Sequence, residues 1–186
     1  MEYYRGLLEA ILFLSNEPLS VSLLARKIQL DKTNTRILLD SLVDEYLERS
    51  GGILLKEIAG GYRFLTSEKY SEELKKIFKP KSTEKLSRSL LETLAIICYK
   101  QPITLSEIEE IRGVNSRNQI SILLQKNLIK PQGYKPVPGR PTLYVTTREF
   151  LIKFNLNTLA DLPPLKDLKE LPFDEITLSD EEESKI

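Results

Sequence analysis

Leu7-Leu8-Glu9-Ala10-Ile11-Leu12-Phe13-Leu14 is followed, three residues on, by Pro18-Leu19-Ser20, and the chain then repeats the arrangement. Leu90-Leu91-Glu92-Thr93-Leu94-Ala95-Ile96-Ile97 is followed, four residues on, by Pro102-Ile103-Thr104. The offset is 83 residues at Leu8/Leu91 and 84 at Pro18/Pro102. That period is too long for a solenoid unit and suits a small domain. The 186 residues are therefore expected to hold two similar domains in tandem.

Working outward from the first copy, residues 3–15 predict a helix apolar on most faces, stopped at Asn16-Glu17-Pro18 because proline disfavours helical geometry in the residue before it. Ser20 is placed to cap a short second helix with Leu23, Leu24 and Ile28 inward, and Asp31 to cap a third running to about Arg49. Ile37, Leu38, Leu42, Val43, Tyr46 and Leu47 keep a helical period along that third helix. Two short apolar runs, Ile53–Ile58 and Tyr62–Thr66, flank Ala59-Gly60-Gly61 and predict a β-hairpin; Ser67 is placed to cap a closing helix over 68–78. This order is that of a winged helix.

The second copy follows suit. Ser87 or Ser89 caps a helix to about Lys100, Thr104 a short helix to about Ile111, and Asn115, after a break at Gly113, a third to about Asn127. Leu128-Ile129-Lys130 and Leu143-Tyr144-Val145-Thr146 predict the second hairpin, and Thr147 opens the last helix. Pro136, Pro138 and Pro141 predict a wing tip that is stiff and extended rather than a tight turn. The expected fold is mainly α with small β-hairpin wings (α+β): a winged-helix domain over 1–79, a linker over 80–86, a second winged-helix domain over 87–158, and an extension with a flexible acidic tail over 159–186. Residues 173–186 hold six acids against Lys185 alone, a net charge of −5, and read as disordered.

Composition narrows the function. The chain has no histidine, which excludes Ser-His-Asp and Cys-His nucleophiles and histidine-based zinc sites. Gly51-Gly52 and Gly60-Gly61 lack the spacing of a phosphate loop, and the lone Cys98 excludes an intrachain disulfide. No catalytic residue, cofactor or metal site is expected, and the chain reads as a non-enzyme. Met1-Glu2-Tyr3-Tyr4 has no basic leader and no apolar run approaches the ~20 residues that span a bilayer, so a cytoplasmic protein without a membrane partner is expected.

Charge separates the two copies. Residues 31–50 carry Lys32, Arg36 and Arg49 against Asp31, Asp40, Asp44, Glu45 and Glu48, a sum of −2 that is unsuited to a DNA groove. From Ile111 to Arg148 there are seven cations, Arg112, Arg117, Lys126, Lys130, Lys135, Arg140 and Arg148, and no acid. Weak, nonspecific DNA contact is compatible with that stretch, as is an acidic protein partner. The acidic tail is also a candidate screen for this face. The nearly all-round apolarity of helix 3–15 exceeds the single stripe a surface helix needs and points to dimerisation through the first domain.

More specific strings stand in the second copy. Leu86-Ser87-Arg88-Ser89-Leu90-Leu91-Glu92-Thr93 runs on through Tyr99-Lys100-Gln101-Pro102-Ile103-Thr104 into Glu107-Ile108-Glu109-Glu110-Ile111-Arg112-Gly113-Val114-Asn115-Ser116; Val137-Pro138-Gly139-Arg140-Pro141 follows. Together with Glu17-Pro18-Leu19-Ser20 and Asp161-Leu162-Pro163-Pro164-Leu165, these resemble the segregation and condensation protein B family over roughly residues 5–168. Tyr134 and Val145 depart from the pattern of that family, both on the second wing. The resemblance implies a homodimer of paired winged helices that binds the kleisin subunit, segregation and condensation protein A, and through it the SMC ATPase. The implied role is chromosome condensation and partition at cell division, on the nucleoid. The alternative on residues alone is a winged-helix transcription regulator, against which the acidic third helix argues.

Three residues are candidate partner contacts. Arg140, held between Gly139 and Pro141, is placed to fork onto a carboxylate or phosphate, or else to serve the local turn. Arg112 and Tyr144 are weaker candidates of the same kind.

Overall fold

The repeat folds twice as three helices and an antiparallel wing in a computed structural model that describes residues 1–78 and 86–164. Among these, residues 1–78 with 155–158 form one unit and residues 86–154 with 159–164 the other. The acidic tail and residues 80–85 of the expected linker lie outside the described residues.

In the first unit, α1 (Glu2–Leu14), α2 (Val21–Ile28) and α3 (Lys32–Glu48) precede β1 (Ile53–Ile58) and β2 (Gly61–Thr66), and α4 (Ser71–Phe78) closes it. The caps expected from sequence start two helices: Ser20 Oγ accepts from the Leu23 N–H at 3.3 Å and Asp31 Oδ1 from the Asn34 N–H at 2.9 Å. Each satisfies a donor that the first turn leaves without an intrahelical acceptor. Ser67 makes no such bond; residues 68–70 form a 3-10 turn before α4 begins. Leu8, Leu12, Leu24, Ile28, Leu39, Leu42, Leu55 and Tyr62 build the core. Tyr62 is buried with its hydroxyl donating to Asp40 at 2.8 Å, so the phenol enters the core with its polar atom satisfied, and burial raises its pKa.

The hairpin turn is two residues long. Ile58 pairs with Gly61, and Ala59 and Gly60 both have positive φ, 50° and 74°, which fits the twist of the flanking strands. Residues 155–158 belong to this unit: Leu156 O accepts from the Ala59 N–H and Asn157 Oδ1 from the Gly60 N–H, each at 2.9 Å. Beside the turn, Leu19 and Tyr62 exchange both backbone bonds, 3.0 and 2.8 Å, which draws the Pro18-Leu19 segment onto the wing. Gly61 is required by that approach. A Cβ there would stand 2.8 Å from the Pro18 carbonyl carbon and 2.9 Å from that of Leu19. Gly61→Ala is therefore expected to destabilise the first unit by about 1–3 kcal/mol, since backbone rather than a side chain must yield. Urea unfolding followed on first-unit amides checks this; unchanged stability would show that Pro18-Leu19 can move away freely.

In the second unit the order is α5 (Arg88–Lys100), β3 (Ile103–Thr104), α6 (Leu105–Arg112), α7 (Arg117–Gln125), β4 (Ile129–Tyr134), β5 (Thr142–Thr146) and α8 (Arg148–Lys153). The antiparallel sheet has the order β3-β5-β4. Ser87 caps α5, Thr104 caps α6 in a reciprocal box with Glu107, and Thr147 caps α8. Gly113 ends α6 with φ 71°, the left-handed geometry that glycine tolerates. Leu86, counted with the linker in the sequence, is 5% exposed.

Two local expectations in this unit are corrected. Asn115 stands one residue before the cap position of α7, which Ser116 takes without a side-chain cap bond because its hydroxyl is engaged by Arg112 and Val114; Asn115 Oδ1 accepts instead from the first helical N–H, that of Arg117, at 3.2 Å. The second wing tip is not extended. The Arg140 N–H donates to Val137 O at 2.9 Å across Pro138-Gly139, and the Gly139 φ of 83° is that of a type II turn. The prolines thus pre-set a turn, with Pro138 at the position where its fixed φ fits.

Candidate partner-binding surface

The three candidate residues fall in two different places. Arg112, at the end of α6, turns inward, and its side chain is 7% exposed. Its Nη1 donates to Ser116 Oγ at 2.8 Å and its Nη2 to Ser89 Oγ at 2.9 Å, with Glu92 Oε2 at 3.5 Å. Gln119 Nε2 also donates to Ser89 Oγ, at 3.1 Å, and Glu109 Oε1 accepts from the Ser116 N–H at 3.0 Å. One guanidinium thereby joins the start of α5, the end of α6 and the start of α7. Two of the strings that carried the resemblance, 86–104 and 107–116, meet in this network, and its geometry is structural.

Arg140 and Tyr144 come together on the second wing. Arg140 is exposed at the tip, and its guanidinium lies 5.6 Å from the centre of the Tyr134 ring. Its φ of 40° is unusual for a residue with a Cβ. Tyr134 and Tyr144 line a groove of about 500 Å³ with Leu124, Pro131, Gly133 and Thr142. A groove with two phenol rings, apolar walls and a cation at one edge suits an extended peptide with a side chain to bury and a carboxylate to pair. Leu124 and Pro131 carried no signal as site residues in the sequence. Tyr134 was visible there as a departure from the family pattern.

The wing is tied to the helices below it. Lys135 Nζ meets Glu107 Oε1 at 2.7 Å, and Glu107 Oε2 accepts from the Thr104 backbone N–H at 2.9 Å and from its hydroxyl at 2.7 Å. These bonds, that from Lys135 first, hold the Glu107 carboxyl down to about 2. Its pKa is lower folded than unfolded. The stabilisation is therefore complete above the ordinary carboxylate range and is lost as the pH falls from there through about 2. Lys135→Met is expected to move the Glu107 pKa back toward ordinary values, which an NMR titration of the Glu107 side chain would follow; no movement would mean that the Thr104 bonds alone set it.

In the first unit Arg36 of α3 and Arg49 just after it are occupied by carboxylates. Arg36 pairs with Glu57 at 3.1 Å and Asp40 at 3.5 Å, and Arg49 pairs with Glu45. Asp44 and Glu48 stay exposed. This helix presents carboxylates where a DNA reader would present donors. Burial raises the Cys98 thiol to about 12, which keeps it protonated and unreactive.

The family model described as "Segregation and condensation complex subunit ScpB" matches residues 6–165. The chain belongs to the ScpB family. It is 42% identical over 165 residues to segregation and condensation protein B of Clostridium tetani (strain Massachusetts / E88), covering 89% of this chain and 87% of the relative. It is 42% identical over 163 residues to the protein of the same name from Desulforamulus reducens, covering 88% and 90%. Among solved structures, that of ScpB from Mycobacterium tuberculosis is 30% identical and covers 82% of this chain and 95% of that one, with a TM-score of 0.40. As a member of the ScpB family the chain is a non-enzymatic subunit of a segregation and condensation complex. Among the described residues no helix is long and apolar enough to cross a membrane.

Proposed function

We propose that the chain works as a homodimer joined through α1, and that its second wing binds the kleisin subunit, in chromosome condensation and partition on the nucleoid in the cytoplasm. One observation carries the reading. The repeated helix buries Leu90, Leu91, Thr93, Leu94, Ile97 and Cys98 in the second unit but only Leu8 and Leu12 in the first. Leu14, at the repeat position of Ile97, is 81% exposed; Tyr3 and Phe13 are 75% and 73% exposed. Tyr3 and Leu14 are eleven residues apart, three helical turns, and so share one face. A second copy of α1 would cover what the first unit leaves bare. Membership of a family of complex subunits also demands a partner surface, and the chemistry of the Tyr134–Tyr144 groove supports its assignment to that role.

Light scattering at micromolar concentration, with co-purification of tagged kleisin, tests both parts. The expected mass is twice the 21.4 kDa of one chain. Kleisin is expected to be retained by the wild-type chain and to bind about tenfold more weakly to Tyr144→Ala, the loss of one aromatic contact. A monomer that retains no kleisin would sink the reading.

A further inference from the structure

We infer that the wing groove of the second unit is occupied, in the chain by itself, by its own acidic segment 173–183. The groove has a defined chemistry. Its apolar walls come from Leu124, Pro131 and the rings of Tyr134 and Tyr144, and Arg140 stacks against Tyr134 at its edge. All six lining residues lie within 111–148, where Arg112 is turned inward and Lys135 is paired with Glu107, and Arg140 is the cation set against a lining ring. An occupant must therefore bring apolar side chains and negative charge together.

The segment Phe173-Asp174-Glu175-Ile176-Thr177-Leu178-Ser179-Asp180-Glu181-Glu182-Glu183 does so. Phe173 precedes the acidic pair Asp174-Glu175, Ile176 and Leu178 stand between that pair and the acidic run Asp180–Glu183, and six carboxylates fall within eleven residues. Its cations are none, so nothing in it opposes Arg140.

The chain can make the connection. The Tyr99 hydroxyl donates to Pro163 O, which fixes where the described chain leaves the second unit. Tyr99 is four residues before Ile103, and Ile103 pairs with Tyr144 in the sheet. At about 3.8 Å per residue step, these links put Tyr144 at most roughly 30 Å from Pro163. Nine residues such as 164–172 span at most about 30 Å, a length sufficient to bring Phe173 to the groove. A segment tethered this closely competes at an effective concentration in the millimolar range, so individually weak contacts suffice to populate the docked form.

This docking would occupy the groove proposed above for the kleisin, but it is read on the chain alone, so failure of tail docking and failure of kleisin binding are separate results. The experiment compares amide resonances of the full chain with those of a chain ending at Pro172. Gly133, Tyr134, Thr142 and Tyr144 are expected to shift between the two. A synthetic peptide of residues 173–186, added to the shortened chain, is expected to move them in the same direction, with affinity falling about tenfold between 0.05 and 0.5 M salt as the charges are screened. In the full chain Arg140→Glu is expected to return the groove resonances to their shortened-chain positions while the rest of the spectrum stays folded. Coincident groove resonances in full and shortened chains would overturn the proposal. So would groove shifts that grow with protein concentration, which would make a second copy the occupant, or shifts indifferent to Arg140→Glu.

Discussion

Replacing Arg112 by alanine is expected to lower the stability of the second unit by about 3 kcal/mol, and lysine is expected to restore little of it. Two charge-assisted bonds, to Ser116 Oγ at 2.8 Å and Ser89 Oγ at 2.9 Å, would be lost from a side chain that is 7% exposed. Such bonds contribute roughly 1.5–3 kcal/mol each. Ser116 is fully buried, so its hydroxyl would lose a donor that water does not readily replace. Glu92, 45% exposed, would recover hydration and offset part of the loss, which keeps the total near the lower end of the sum. Lysine carries one ammonium on a flexible stem and cannot reproduce a planar fork onto two hydroxyls. Hydrogen exchange of amides in α5 and α7 measures the effect unit by unit, where a global melt of two units would blur it. Wild-type protection in Arg112→Ala with loss of kleisin binding would reverse the assignment and make Arg112 a partner contact.

Arg112 also shows how far the sequence could be read. A cation in an acid-free stretch looks like a surface charge, because one-dimensional charge patterning does not say which way a side chain turns. The direction is set by Ser89, 23 residues earlier, and by Ser116 on the next helix. Helix and wing order, by contrast, were legible, since caps at Ser20, Asp31, Ser87, Thr104 and Thr147 and the apolar period are local signals. The tip of the second wing was misjudged because three prolines suggested extension, whereas Pro138-Gly139 is the central pair of a type II turn. The groove was only half visible: Tyr144 and Arg140 drew notice, but Leu124 comes to it from a separate helix, which no strand periodicity announces.

Leu14→Glu and Ile97→Glu replace the same position of the repeat and are expected to act on different equilibria. Ile97 is fully buried in the second unit. A carboxylate there would have no partner, and the cost, more than about 4 kcal/mol, is expected to unfold that unit in circular dichroism and amide spectra. Leu14 is 81% exposed, so Leu14→Glu is expected to change the first unit's own stability by no more than about 0.5 kcal/mol. Its effect should appear instead in mass. Two added charges brought together with Tyr3 and Phe13 across a two-fold face lose hydration and repel, and a penalty near 3 kcal/mol weakens the dimer by about 100-fold. Analytical ultracentrifugation over a concentration series separates these effects. A dimer constant unchanged by Leu14→Glu would place the interface away from α1. The contrast has a local origin. α1 ends at Leu14, whereas α5 runs three residues past Ile97 to Lys100, which keeps Ile97 within the helix while Leu14 sits at a terminus. The same apolar string thus completes a core in one unit and leaves an exposed apolar end in the other.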